Sequence, residues 1–408
     1  MDTDVVIVGA GIAGSALAAT LAGEGLGVIA LERQESYGDQ VRGEGLWPWG
    51  VAEAKRLGVH DVLLDAAGGY VEWLIDYMDG NDPGAAEDEP VPLTEMIDGA
   101  PGALNVAHPL ACQTLSAEAA RRGAELVVGV DGLQISHASR PEVRFTTKEG
   151  EPRHVRCRLV VGADGRSSEV RKQAGITLER ARAGHMISGL LVEGLDIDPA
   201  RDVTGIGDDV FMVAFPQNSG RARIYLFYRD DRPVYNGADG AQRLIDASAL
   251  KYIPQREQWA ESMPAGPCRS FRCDDTWTDR PYGDGVVLVG DAAGYNDPLI
   301  GQGLGLALRD VRALSEALLD GSSWDTALFD HYGAERAERL RRMRAVADLY
   351  AAETVAFGPD ARELRAGIQK RIEEDPNLLD GPLAMFLGPD EMNPGVATDE
   401  FHRRYFGR

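Results

Sequence analysis

Asp4-Val5-Val6-Ile7-Val8-Gly9-Ala10-Gly11-Ile12-Ala13-Gly14 stands near the start of the chain and reads as a buried strand feeding a glycine loop. An almost wholly apolar run of this length suits a parallel strand covered on both faces. The glycine spacing then predicts a helix that begins on the loop. Gly9 permits the tight turn, Gly11 lets the backbone approach a pyrophosphate, and Gly14 allows close helix–strand packing. Ile12 and Ala13 lie at the start of that helix, whose N–H groups would receive phosphate charge. A second apolar run, Val28 to Leu31, ends in Glu32, 18 residues after Gly14. A carboxylate at that distance can bind both ribose hydroxyls of an adenosine, and Arg33 beside it joins the candidate binding residues. Strand, loop, helix, strand and acid in this order predict a dinucleotide site.

Two further signals follow, Ala163-Asp164-Gly165-Arg166 in the middle and Gly290-Asp291-Ala292-Ala293 late. The late one comes after another buried-strand run, Gly285 to Val289, so Asp291 falls just past a strand's carboxyl end, where open α/β sheets place ligands. A helix is expected to begin near Gly301-Gln302-Gly303. Its partial positive charge would suit the anionic N1–C2=O edge of a reduced flavin. A strand, a turn and a helix with an aspartate cap is the plainer reading of this segment taken alone. Taken together, the three signals point to a bound flavin.

On these residues the chain resembles the aromatic-ring hydroxylases of the para-hydroxybenzoate hydroxylase type, which are single-component FAD monooxygenases. Their three fingerprints match Gly9–Gly14, Asp164-Gly165 and Gly290-Asp291. The resemblance implies an α/β fold. A Rossmann-like FAD-binding domain of the GR2 type would be interleaved with a smaller antiparallel-sheet substrate domain and followed by C-terminal helices. Related halogenases, epoxidases and prenyl reductases share the first and last motifs.

Composition agrees with an enzyme: the 408 residues allow two or three domains, and 44% hydrophobic content is ordinary for a globular protein. A net charge of -23 argues against nucleic acid or an anionic membrane as partner, since phosphate binding is driven by Lys and Arg. No long apolar span or basic signal region is seen, and the first strand begins by Asp4, so a cytoplasmic protein without a removable leader or stable membrane insertion is expected. Cys112, Cys157, Cys268 and Cys273 lack the paired spacing of zinc or thioredoxin-like motifs and read as reduced bystanders, with no metal site expected.

Along the chain the expected FAD-binding domain is discontinuous, comprising 1–75, 104–180 and 270–330. Segments 76–103 and 181–269 form the substrate domain, and 331–408 a C-terminal helical region. Val210 to Phe215 and Arg223 to Tyr228 read as strands of a hairpin around Pro216-Gln217-Asn218-Ser219-Gly220. With Val71 to Met78 they would make an antiparallel roof over the substrate. Residues 79–103 read as a mobile surface loop. Trp324 to Thr354 reads as a helix with Phe329, Tyr332, Leu340, Met343, Ala347 and Tyr350 near one face and arginines elsewhere. The last fifty residues could cover the active site or a subunit contact.

The resemblance implies that NAD(P)H, docking transiently as co-substrate, reduces FAD. O2 would then form a C4a-hydroperoxide, which delivers one oxygen atom to an aromatic or polyketide-like small molecule. FAD supplies the difficult chemistry and the protein supplies position and electrostatics. Asp291 would hold the ribityl chain, and the backbone N–H groups near Gly303 and Leu304 would stabilise the reduced ring. Pro298 matches the family's proline beside the flavin, although it also serves to end a turn. Arg42, in Arg42-Gly43-Glu44-Gly45, is a candidate for the FAD phosphates or ribityl group or else a solvated arginine. Gln113 is an FAD contact or an exposed amide. Arg166 would offer charge to the pyridine nucleotide or cap the helix expected over Ser167–Ala174. Trp47 and Trp49 would line a cavity or pack in the core, and His108 and His185 are acid–base candidates or structural. A homodimer follows by analogy.

Halogenation is disfavoured, because Phe211-Met212-Val213-Ala214-Phe215-Pro216 lacks the tryptophans of the halogenase motif and the channel lysine is missing. Epoxidation, prenyl reduction and a redox-neutral flavin-binding role stay open, since nucleotide motifs show binding rather than turnover.

Overall fold

The computed structural model describes residues 2–78, 82–136, 140–207, 209–217, 220–321 and 323–408. The central sheet has the order Tyr282–Gly283, Val286–Leu288, Leu159–Gly162, Val5–Val8, Val28–Glu32, Glu125–Val128. All but the first of these strands are parallel, with Val5 opposite both Leu159 and Val28. Val8, Gly162 and Leu288 end in register, so chain segments more than a hundred residues apart leave the sheet side by side. This alignment brings the three sequence signals together at the carboxyl ends of adjacent strands.

Both faces of the sheet are covered, which is why its strands read as continuous apolar runs. On one face the helices Ile12–Gly23, His108–Arg121 and Gly303–Asp320 pack through Leu17, Leu115 and Leu308. On the other, an antiparallel sheet of Asp131–Ser136, Glu142–Thr146 and Pro152–Arg156 contributes Val143, Phe145 and Val155.

The second large sheet has eight strands built around His185–Glu193, Arg221–Arg229, Phe211–Gln217, Arg201–Ile206 and Trp73–Tyr77. It is not wholly antiparallel. Trp73–Tyr77 runs parallel to Arg201–Ile206, because the two strands belong to separate excursions of the chain and no hairpin joins them. The expected hairpin strands do pair, and residues 218–219 of its turn lie outside the described residues. One face of the sheet buries Leu190, Ile224 and Leu226 against the helix Gly237–Ser248. The other shares a cluster with the helices Thr326–Thr354, Pro359–Glu374, Asp380–Glu391 and Asp399–Phe406.

Three expectations change. Described residues 82–103 are not a plain loop: Asp82 caps the helix Pro83–Asp88, Val91–Pro92 pairs with the Trp73–Tyr77 strand, and Leu93 is fully buried. An Asp-Pro helix start and one apolar anchor fix a segment whose Gly, Pro and acidic content suggests mobility. The Ser167–Ala174 helix shortens to Glu169–Gln173 with Ser168 as its cap. The helix after Asp325 runs unbroken through position 331, and its buried face includes Arg336 and Arg339 beside the expected apolar residues.

Because Leu93 anchors this segment, Leu93→Ala should cost about 2–5 kcal/mol in urea unfolding. An unchanged unfolding midpoint would return the segment to a detached loop.

Candidate cofactor and active site

The first loop separates the jobs of its glycines. Gly9 has φ +97°, and a Cβ there would lie 2.4 Å from the Ala163 carbonyl oxygen on the neighbouring strand. A Cβ on Gly14 would lie 1.8 Å from the Gly9 carbonyl oxygen. Gly11 differs: a Cβ there would meet nothing within 4 Å. The helix Ile12–Gly23 starts with no side-chain cap and no acid in its first turn. Its first N–H groups are therefore left for a partner outside the helix. Glu32 accepts hydrogen bonds from Ala10 N and Gln34 N, each at 2.9 Å, which fixes its carboxylate beside the loop with acceptor capacity to spare. Arg33 is exposed. Tyr37 Oη and Ser15 Oγ both donate to the Ala10 carbonyl at 2.7 Å, two supports that no motif announces.

Beyond the second strand end, the Asp164 carboxylate is spent on the helix that follows. It accepts from Ser168 Oγ, Glu169 N at 2.6 Å and Val170 N at 3.2 Å, and burial raises its pKa. Gly165, at φ +75°, turns the backbone past the open side, where a Cβ would meet nothing. Arg166 neither caps that helix nor stands free: its Nε lies 3.2 Å from Asp291 Oδ2, and its guanidinium sits 4.3 Å from the Tyr295 ring centre. Arg171 donates to Ala292 O at 2.8 Å and ties the two segments together.

The Gly290 turn is held from beneath. Asp310, buried on the helix Gly303–Asp320, accepts from Gly290 N at 2.7 Å. Arg336 meets the same carboxylate at 3.0 Å and donates to Ala293 O at 3.1 Å, Gly294 O at 3.3 Å and Gly290 O at 3.4 Å. Arg339 reaches Asp310 Oδ1 at 2.8 Å. All three side chains are at least 97% buried. Burial by itself would raise the Asp310 pKa, yet the two guanidiniums hold it below the ordinary carboxylate value. The sequence reading places the arginines of this helix away from its apolar face, whereas Arg336 and Arg339 are buried on it. A sign was present, since positions 336 and 339 fall on the same turn-spaced face as Tyr332, Leu340 and Met343.

Pro298 opens a short 3₁₀ turn, Pro298–Ile300, capped by Asp297 through Leu299 N at 2.9 Å. Trp47 Nε1 donates to Ile300 O at 2.9 Å, and Trp49 Nε1 donates to Gln302 Oε1 at 2.8 Å. Gln302 Nε2 donates in turn to Ile300 O at 2.6 Å and Met385 O at 3.1 Å. The two tryptophans are thus buried clamps on this loop, and Trp47 packs edge-on against Phe386 with ring centres 5.0 Å apart. Through Met385 and Phe386 the C-terminal region also bears on the loop. After the clamp the helix Gly303–Asp320 starts without a side-chain cap or a first-turn acid, and a Cβ on Gly303 would meet nothing within 4 Å. Leu304 is half-buried, and its Cδ2 lies 3.7 Å from where a Gly43 Cβ would stand. A small cleft among Gly290, Asp291, Asn296, Gly303 and Ala307 joins the turn to this helix start.

Arg42 is half-buried and makes no side-chain hydrogen bond or ion pair among the described residues. Next to it, Gly43 has φ +76°, with His108 Cδ2 2.8 Å from a would-be Cβ. Burial first, then the charge of Arg42, lowers the His108 pKa to about 4, so its imidazole is neutral near pH 7. Gln113 is exposed on the same helix. Glu44 turns inward to Arg223 Nε at 3.0 Å and to Tyr225 Oη, while Arg223 also meets Asp39 at 2.7 Å. All four cysteines are free, and burial pushes the Cys112 and Cys157 thiols up to about 12.

Residues 2–347 match the family model described as FAD binding domain. The chain belongs to the FAD binding domain family. Among curated proteins it is 28% identical over 323 residues to squalene epoxidase 2, mitochondrial, of Arabidopsis thaliana, covering 78% of this chain and 54% of that protein. The chain therefore spans about half the length of that relative. It is also 26% identical over 378 residues to the menaquinone reductase of Mycolicibacterium smegmatis, with 83% of each covered. Among solved structures, p-nitrophenol 4-monooxygenase PnpA from Pseudomonas putida DLL-E4 superposes with a TM-score of 0.75 at 18% identity, covering 95% of this chain and 99% of that one. A ternary complex of aklavinone-11 hydroxylase with FAD and aklavinone gives 0.70 at 22% identity, covering 87% and 69%.

The geometry fits FAD. Open glycines at two uncapped helix starts, a carboxylate fixed beside the first glycine loop and an unpaired half-buried arginine suit a long ligand with anionic centres. Among the described residues no helix is long and apolar enough to cross a membrane.

Gly11→Ala and Gly14→Ala should therefore part company. The Gly11 change meets open space at φ -72°, so stability should stay within about 1 kcal/mol while FAD affinity falls at least roughly ten-fold. Gly14→Ala should lower the melting temperature as well. Equal FAD binding by wild type and Gly11→Ala would remove the phosphate role of this loop.

Proposed function

We propose that the chain is an FAD- and NAD(P)H-dependent monooxygenase that inserts one atom of O2 into an aromatic or polyketide-like small molecule. The observation that carries the reading is the placing of the Pro298–Gly303 loop. It lies against the apolar inner face of the eight-stranded sheet, where Ile187, Phe211, Val213 and Phe227 cluster with Leu299 and Ile300. An aromatic-lined, water-poor face beside the flavin loop suits a flat apolar substrate and limits loss of activated oxygen as peroxide. One structural neighbour, aklavinone-11 hydroxylase, forms a ternary complex with FAD and aklavinone, which supports a substrate of this class.

In this reading the N-termini at Gly11-Ile12-Ala13-Gly14 hold the FAD pyrophosphate, with Arg42 as counter-charge. Glu32 takes the adenosine ribose beside Gly9 and Arg33. Asp291, steadied by Arg166 and the Gly290 turn, takes the ribityl chain, while the Asp164-Gly165 backbone and Gln113 border it. Gly303 and Leu304 offer backbone N–H groups to the negative edge of the ring, and Pro298 faces its reacting side. FAD, when bound, supplies the hydride-accepting and oxygen-activating chemistry; the side chains bind, orient and exclude water. With a pKa lowered to about 4, His108 is neutral near pH 7 and serves as a wall beside Gly43 rather than as an acid. A cytoplasmic homodimer completes the proposal.

Epoxidation or reduction of an isoprenoid is the second reading. It is favoured by the plant squalene epoxidase and the menaquinone reductase among the relatives.

Anaerobic mixing of the FAD-loaded protein with NADH or NADPH should bleach the oxidised flavin. Incubation with ¹⁸O2 and a panel of phenolic, polycyclic and isoprenoid compounds should then give a product heavier by one labelled oxygen. Bleaching with an unlabelled, hydrogenated product would select the reductase reading. No bleaching with either nucleotide would defeat both.

A further inference from the structure

The loop from Gly290 to Gly303 is tied down every two or three residues. Gly290, Ala293 and Gly294 are held by Asp310 and Arg336, Tyr295 by Thr276, and Ile300 and Gln302 by the two tryptophans. At its centre Asp297 N donates to Asp275 Oδ1 at 2.7 Å, while Asp297 Oδ1 caps Leu299. The remaining oxygen, Oδ2, lies 2.9 Å from His185 Nε2, with both side chains at least 93% buried.

His185 is the first residue of the long strand His185–Glu193. Two residues on, Ile187 sits on the apolar face proposed for substrate, and the His185 ring leans on Phe227 of that face at 6.3 Å between centres. The contact therefore joins the substrate sheet to the residue immediately before Pro298. Among the described residues Nε2 meets no acceptor at a straight hydrogen-bond angle, and Asp297 Oδ2 at 2.9 Å is the group it faces. Cys273 is also packed here, and the three potential ligand atoms lie within 4.8 Å of one another. Burial and the neighbouring Asp297 keep its thiol protonated, which leaves it poorly suited to bind a metal.

We propose that His185 is a positioning residue: through Asp297 it sets the Pro298–Gly303 loop, and with it the helix start aimed at the flavin edge, in register with the substrate sheet. The inference rests on the functional reading given above. Loss of the contact would let the loop relax, weakening the field of the Gly303 helix N-terminus at the ring.

The test is the two-electron potential of FAD bound to the holoenzyme, measured by dye equilibration with dithionite, which needs neither NAD(P)H nor a substrate. His185→Ala should disfavour the reduced flavin about ten-fold, a potential about 30 mV lower, and should raise peroxide released per NAD(P)H consumed. His185→Gln, which returns a donor near the Nε2 position, should recover most of the shift, and Cys273→Ser should leave it unchanged. A His185→Ala potential within two-fold of wild type in equilibrium terms, even with a lowered melting temperature, would reduce His185 to a packing residue and overturn the proposal. A stoichiometric metal lost in His185→Ala would overturn it in favour of a metal centre. Failure of NADH and NADPH to bleach wild type would count against the functional readings above and not against this inference, because the dye measurement would still decide the loop.

Discussion

A buried carboxylate with two guanidiniums around it holds the structure's functional centre together. Asp310 sits almost wholly out of water, where an unpaired charge is strongly disfavoured, so it demands Arg336 and Arg339. Once assembled, the cluster has donors and an acceptor left over, and these go to the backbone of Gly290, Ala293 and Gly294. A turn whose glycine sits at φ +58° and whose polar groups lie away from solvent thereby gains fixed partners. The long helix Thr326–Thr354 thus supports, from behind, the turn proposed to border the flavin.

Much of this was legible in the chain. Buried parallel strands announce themselves as continuous apolar runs, and turns at their ends need glycine, so Val5–Val8 with Gly9 and Val286–Leu288 with Gly290 stand out. What was hidden depends on pairings across long separations. Whether Arg336 is solvated or buried is decided by Asp310, 26 positions away on another helix. The parallel pairing of Trp73–Tyr77 with Arg201–Ile206 leaves no local trace, because strand content does not encode a partner. Asp164 was visible, but its carboxylate is claimed by Ser168 and the following helix N–H groups, a competition that spacing does not reveal. Trp47 and Trp49 were open between cavity and core, and the hydrogen bonds to Ile300 and Gln302 decide for core.

The site joins three layers of the fold. The parallel sheet supplies the turns, the eight-stranded sheet supplies an apolar wall, and the C-terminal helices close the Pro298 loop through Met385 and Phe386. Family membership establishes the FAD binding domain, while the curated relatives include both an epoxidase and a reductase. Fold and cofactor are therefore shared by several chemistries, and the choice among them lies with the groups that face the ring and the substrate.

The most direct measurement is FAD affinity of the apoprotein, read by flavin fluorescence quenching, for wild type and Arg336→Met, with far-UV circular dichroism as a check on folding. Wild type should take up FAD tightly. The variant should keep its secondary structure and bind at least roughly ten-fold more weakly, since the buried Asp310 charge is left half-paired beneath the Gly290 turn. Equal affinities for the two folded proteins, or a folded wild type that takes up no FAD, would contradict this view of the site.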